Sequence, residues 1–178
     1  METKNTNAAF LESAQFRFGS LKKMGEFTLE QLEDADLTWR PNEESNSIAV
    51  LVQHMRGNML SRWTNFLTED GNKPYRDRDS EFEEPESMSR EECMRIWDEG
   101  WSCMNESIES LTPDDVLREV IIRNKPLTVL DAIHRQLSHS AYHVGQLVQV
   151  AKERLGPRWK TLSIPRGQSK NYRPSNRD

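Results

Sequence analysis

Cysteine is scarce in this chain. The two cysteines, Cys93 and Cys103, stand ten apart, a separation that fits neither a zinc nor a redox motif. Their number excludes a four-cysteine structural zinc site, and two reduced thiols on a helix suit a cytosolic protein, here expected in the cytoplasm. Long apolar runs are lacking too, so no membrane span is expected. The N-terminus, Met1-Glu2-Thr3-Lys4-Asn5, lacks the charged-then-apolar build of a signal peptide. Positive charge is in deficit, with a net of -5. The deficit is uneven, because Arg158, Lys160, Arg166, Lys170, Arg173 and Arg177 face only Asp178 at the end of the chain. The preceding body therefore holds 18 basic and 28 acidic residues. An acidic body argues against nucleic acid as the partner, and the basic tail reads as docking on its own body or on a neighbouring subunit. Internal repeats are absent.

What is present is helical periodicity. With 35% hydrophobic and 30% charged residues, the 178 residues suit one globular domain, 1–178. A first helix is expected over about 7–34, with Phe10, Ala14, Phe18, Leu21, Phe27, Leu29 and Leu32 as its apolar rhythm and Gly19 and Gly25 weakening it. A second starts at the caps Asn46 and Ser47 and runs to about 67. A long charged connection over 75–87 follows, of the kind that carries function. Ser89 to Glu92 reads as a capping box for a third helix ending near 111. The β-branched segment 116–122 predicts a strand or hairpin arm around Arg123 to Pro126, and a fourth helix runs from Thr128 to Leu155, closed by Gly156-Pro157. The expected fold is all-α, an antiparallel four-helix bundle over about 7–156, with a long crossover between helices two and three and an irregular tail over 157–178.

Half of the four histidines fall in one turn, His139 and His143, the i,i+4 spacing that puts two imidazoles on one helical face. The apolar stripe of the fourth helix reads as Ile133, Leu137, Ala141, Val144, Val148 and Ala151, with His139, His143 and Gln146 off its centre. On the second helix the stripe is Ile48, Val52, Met55, Met59, Trp63 and Phe66. His54 lies beside it on a polar strip with Ser47, Asn58, Ser61 and Asn65. Two readings stand on periodicity alone: scattered polar histidines, or three imidazoles meeting at one point with an open metal position. His134 reads as a surface residue.

His54, followed by His139-x3-His143-Val144-Gly145-Gln146, resembles the DinB/YfiT-like superfamily of four-helix-bundle metalloenzymes. The likeness spans nearly the whole chain, through Asn46-Ser47-Ile48, Arg62-Trp63, Asp70-Gly71, Arg76 to Asp79, Glu81-Phe82 and Ser163 to Gln168. The resemblance implies His54, His139 and His143 as ligands of a divalent metal, zinc or nickel, and a homodimer. It also implies a small-molecule substrate, and some members use a low-molecular-weight thiol such as bacillithiol, mycothiol or glutathione. On that basis the expected function is a metal-dependent enzyme, either a thiol-dependent S-transferase or a hydrolase. The alternative is a non-catalytic metal- or ligand-binding stress-response module, favoured by the lack of a His-Glu-x-x-His base. A third reading makes the histidines structural only.

Asn58, Arg62 and Gln146 are the candidates for contacting substrate or orienting a ligand. Against this stand a surface ion pair for Arg62 and an ordinary helix polar residue for Gln146. Gly145 reads as a close-packing glycine, and Trp63 and Phe66 as core. Arg76, Arg78, Asp79 and Glu81 read as a polar lid or a self-paired, solvated charge run. The segment from Ile164 to Gln168 either folds back with Arg166 near the site or extends as a plain tail. No residue is assigned as general base.

Overall fold

The computed structural model describes residues 5–173. Among them the architecture is all-α with one two-stranded hairpin. Four long helices carry it, α1 (Thr6–Leu29), α3 (Ile48–Trp63), α4 (Arg90–Glu109) and α5 (Val129–Leu155), with a single turn, α2 (Asp34–Leu37), after the first. Each long helix begins where a side chain accepts from a backbone N–H that the first turn leaves unpaired. Asn5, Ser47, Ser89 and Thr128 accept from the amides of Asn7, Val50, Glu92 and Asp131, and such a cap contributes about 1 kcal/mol. The capping box expected at Ser89 is only half made. Arg95, one turn on, holds the Glu92 carboxylate at 2.7 and 2.8 Å.

Two helices end earlier than their apolar pattern predicts. After Leu29 the chain tightens, with Gln31 and Leu32 donating to the carbonyls of Thr28 and Leu29. That turn brings Leu32 into the core; Phe27, expected on the buried stripe, is 51% exposed. α3 stops at Trp63, shortly before Asn65 takes φ 50°, a left-handed conformation that asparagine tolerates and helices do not continue through.

α1 packs on α4 and α5, and α3 packs on the same two helices. The four enclose a continuous apolar cluster around Phe18, Trp97 and Trp101. Gly25 is part of that packing: the Trp97 ring fills the space its Cβ would need. A Cβ on Gly100 would lie 2.9 Å from Arg56 Cα, so α3 and α4 meet nearly backbone to backbone there.

The α3 stripe is buried as expected, from Ile48 to Phe66. The α5 stripe is turned relative to the expectation. Ile133, Val144 and Ala151 are buried, but Ala141 is exposed, Leu137 and Val148 are half-buried, and Gln136, Ser140, His143 and Leu147 occupy the buried face. Partnered polar groups make this possible. Gln136 accepts from Trp63 Nε1 at 3.1 Å and donates to Ser140 Oγ at 3.1 Å.

β1 (Glu119–Ile122) and β2 (Lys125–Thr128) pair antiparallel across Arg123-Asn124, both at positive φ (57° and 58°), the conformation of a type I′ turn. The Asp70 carboxylate accepts from both turn amides, at 2.8 and 2.7 Å, and Gly71 N donates to Ile121 O at 2.9 Å. The chain break after α3 is thereby tied to the hairpin tip. Residues 64–89 connect α3 to α4 and contain one 3-10 turn, Ser80–Phe82. After α5 the tail is held at Lys160, whose amide donates to Gln31 Oε1 at 2.7 Å. Residues 174–178, with Arg177 and Asp178 of the tail's charge tally, lie outside the described residues.

Candidate metal centre

His54 projects from α3, and His139 and His143 project one turn apart from α5. One ring nitrogen of each lies within 4.8 Å of the others, a group that could hold a metal ion. His54 Nε2 and His139 Nε2 are 3.2 Å apart. Two ligands of a tetrahedral ion bonded at about 2.0–2.1 Å stand roughly 3.3 Å apart, so this separation suits nitrogens that share a cation.

Proton positions follow from the partners. His54 Nδ1 lies 3.0 Å from Glu81 Oε2, and an ionised carboxylate only accepts, so Nδ1 carries the proton and Nε2 the lone pair. His143 Nδ1 lies 2.8 Å from Gln146 Oε1, which also only accepts, and the same tautomer results. Gln146 Nε2 in turn donates to Tyr142 OH at 3.2 Å. Two of the three imidazoles thus keep Nε2 free to bind a cation, the arrangement in which an outer partner orients a metal ligand. His139 Nδ1 is buried without a hydrogen-bond partner among the described residues.

Burial pushes the His139 pKa down to about 3, helped by His143, His54, Arg76 and Arg62. Burial also lowers that of His143. Both are neutral donors near pH 7. Glu81 shows the opposite balance: burial would raise its pKa, but hydrogen bonds from Arg76 and His54 win and hold it below the ordinary carboxylate value. Arg76 Nε and Nη2 donate to Glu81 Oε1 and Oε2 at 2.6 and 2.8 Å, a two-point grip. The Arg76 side chain is 4% exposed and that of Glu81 9%, so the pair is a buried one. Gly57 on α3 makes room for it, since a Cβ there would overlap the Glu81 carboxyl group. Phe82 covers the His54 ring at 4.6 Å.

The expected residues separate into groups. His54, His139 and His143 come together, and His143 sits in the buried face of α5 rather than off it. Asn58 and Arg62 line a cavity that His54 and His139 also border. Arg62 is 5% exposed and bonds to Gly71 O, which overturns its surface ion-pair reading. Gln146 supports His143 and does not border that cavity. Trp63 and Phe66 are core and also cavity wall. Gly145 is exposed with nothing within 4 Å of a would-be Cβ, so the close-packing role expected for it is not realised. His134 is exposed as expected, edge-on to Phe10. Arg166 is exposed and does not border the cavity. Cys93 is fully buried, and burial raises its thiol to about 12, so it is inert.

The charge run divides: Arg76 and Glu81 enter the site, while Asp79 stays exposed. Sequence reasoning had not assigned Glu81 to His54, or Phe82 to its ring. The signal was the unusually long connection, which pointed to the segment but not to its partner.

A family described as a protein of unknown function, DUF1572, matches residues 5–168. The chain belongs to this family. The match takes in all four long helices, the hairpin and all three clustered histidines. No curated protein matches the chain. No helix among the described residues is long and apolar enough to cross a membrane.

Proposed function

We propose that His54, His139 and His143 bind one divalent ion, zinc or nickel, and that this DUF1572 chain is a metal-dependent enzyme acting on a small molecule. The reaction class is S-transfer with a low-molecular-weight thiol, or hydrolysis. The observation that carries the reading is the three-histidine cluster, in which His54 and His143 each have Nδ1 against an outer partner, Glu81 or Gln146. The resemblance to DinB/YfiT-like proteins supports it. On that resemblance the four mutually packed helices are an antiparallel four-helix bundle, one domain over 1–178, acting as a cytoplasmic homodimer.

When bound, the ion supplies Lewis acidity, polarising a substrate oxygen and favouring the deprotonated form of a thiol or water. The chain's own groups do the rest. Glu81 holds the proton of His54 at Nδ1, and Arg76 keeps Glu81 anionic so that it can. Gln146 does the same for His143 without charge. Asn58 Oδ1, buried and without a partner among the described residues, borders the cavity as an acceptor for a ligand donor. Phe82 shields His54 from solvent.

Metal analysis tests the centre. Wild-type protein is expected to hold one ion per chain, and His54→Ala and His139→Ala to lose it. Stoichiometric metal in both variants would sink the proposal. Turnover with a panel of thiols and electrophiles, lost in His143→Ala, would establish the enzyme. One observation favours the second reading, a non-catalytic binding module. The cavity lining contains no carboxylate to act as base, and Glu81 is committed to Arg76 and His54. Ligand binding by the metal-loaded protein without turnover would decide for that module.

A further inference from the structure

Beside the histidine cluster lies a cavity of about 130 Å³, bordered by His54 and His139 at one side. Its lining holds five arginines, Arg62, Arg76, Arg78, Arg123 and Arg135, and no acidic residue. This concentration of positive charge stands in a chain of net charge -5. Three different pieces of chain build it, α3, the connection to α4 and the hairpin–α5 segment.

The arginines are poorly compensated. Glu81 is engaged by Arg76 and His54, and Asp70 accepts from the backbone amides of Asn72, Arg123 and Asn124. Arg123 and Arg135 make no side-chain ion pair or hydrogen bond among the described residues. Arg78 donates to the neutral Asn72 amide at 2.7 Å, and Arg62 to the Gly71 carbonyl. Arg76, although its side chain is 4% exposed, leaves Nη1 buried without a partner. Burial and the charges of Arg76, Arg123, Arg135 and Arg78 lower the Arg62 pKa to about 10. Gathering like charges around a partly desolvated guanidinium opposes folding unless a counter-charge enters. The remaining wall is apolar, with Trp63, Phe66, Ile122 and Ala132. The volume lies below the roughly 300–1,000 Å³ of drug-sized sites, so the carbon body must be small.

We propose that this cavity binds a small organic oxyanion, a carboxylic acid or phosphate monoester. Its anionic group is held by Arg62, Arg78, Arg123 and Arg135, and its carbon body lies on Trp63 and Phe66. Naming this as the substrate class of the adjoining centre rests on the metal reading, whereas anion binding itself does not. Arg76, whose Nη1 is buried without a partner among the described residues, adds a fifth cation to the lining.

Isothermal titration of the full chain, metal-free and metal-loaded, with inorganic phosphate, succinate and neutral succinamide tests it. At least one anion is expected to bind and succinamide is not, with affinity falling as salt rises. Tighter phosphate marks a phosphate monoester, and tighter succinate a carboxylic acid. Arg78→Gln and Arg135→Gln should each weaken binding by about tenfold or more, the scale of a lost charge-assisted hydrogen bond. Arg17→Gln on the exposed side of α1 should not change it, and circular dichroism checks that each variant is folded. The proposal is overturned if neither anion binds at millimolar concentration, if succinamide binds as succinate does, or if both arginine variants bind as wild type. Metal stoichiometry, measured on the same samples, separates the two readings. Intact metal without anion binding rejects only the anion site, and anion binding without metal rejects only the metal centre.

Discussion

On the α3 side of the centre, His54 is oriented by Glu81, a carboxylate 27 residues further along the chain that is gripped in turn by Arg76. On the α5 side, His143 is oriented by Gln146, a neutral amide three residues on in the same helix. Both partners accept from Nδ1 and leave Nε2 without an outer partner. The α5 device is local, formed as soon as the helix forms, and carries no charge. The α3 device fixes part of the 64–89 connection against α3 and buries an ion pair to do so. One side of the site therefore belongs to a helix, and the other belongs to the tertiary fold.

The largest effect should come from Glu81→Ala. It strands Arg76 as a buried unpaired charge, costing about 3–5 kcal/mol in denaturant unfolding. It also frees the His54 ring, weakening metal binding by about 10–100-fold. A variant as stable as wild type would remove the distinction between the two sides. Gly57→Ala attacks the same device without removing a polar group. The new Cβ displaces Glu81, and the overpacking should cost about 1–3 kcal/mol, with metal affinity reduced about tenfold in competition with a chelator. Gln146→Ala should lower metal affinity by about tenfold while changing unfolding stability by no more than about 0.5 kcal/mol. Equal stability losses for Gln146→Ala and Glu81→Ala would contradict the local-versus-tertiary contrast.

The last effect concerns protons. His139 has its folded pKa lowered from 6.5 to about 3, so below pH 6.5 the unfolded chain takes up a proton that the folded chain refuses. Its contribution is thus complete above pH 6.5 and is lost as pH falls toward about 3. Melting temperatures of the metal-free protein should decline across that window. His139→Gln should decline less steeply, and identical slopes would show that the ring is not held neutral by the fold.

The α3 stripe, the caps Ser47, Ser89 and Thr128, the break at Gly156 and the hairpin turn at Arg123-Asn124 were all legible, because each rests on neighbours close in sequence. The early end of α1 was not, since the Leu29 turn is rewarded only when Leu32 reaches the core. The rotated face of α5 was missed for a similar reason. The expected stripe left out Gln136 and Ser140, which are buried because Trp63, from another helix, supplies a partner. Arg62 read as a surface cation because the Gly71 carbonyl that receives it lies in the turn after α3.

Spacing and periodicity alone determined the all-α class, the helix starts and the His139/His143 pair, because one turn of helix sets which residues share a face. The tertiary structure decided that His54 meets that pair, that Glu81 rather than a helix neighbour orients it, and that five arginines converge beside it. Those facts depend on which chain segments are brought together to bury apolar surface and pair buried charge, and no local pattern carries that information.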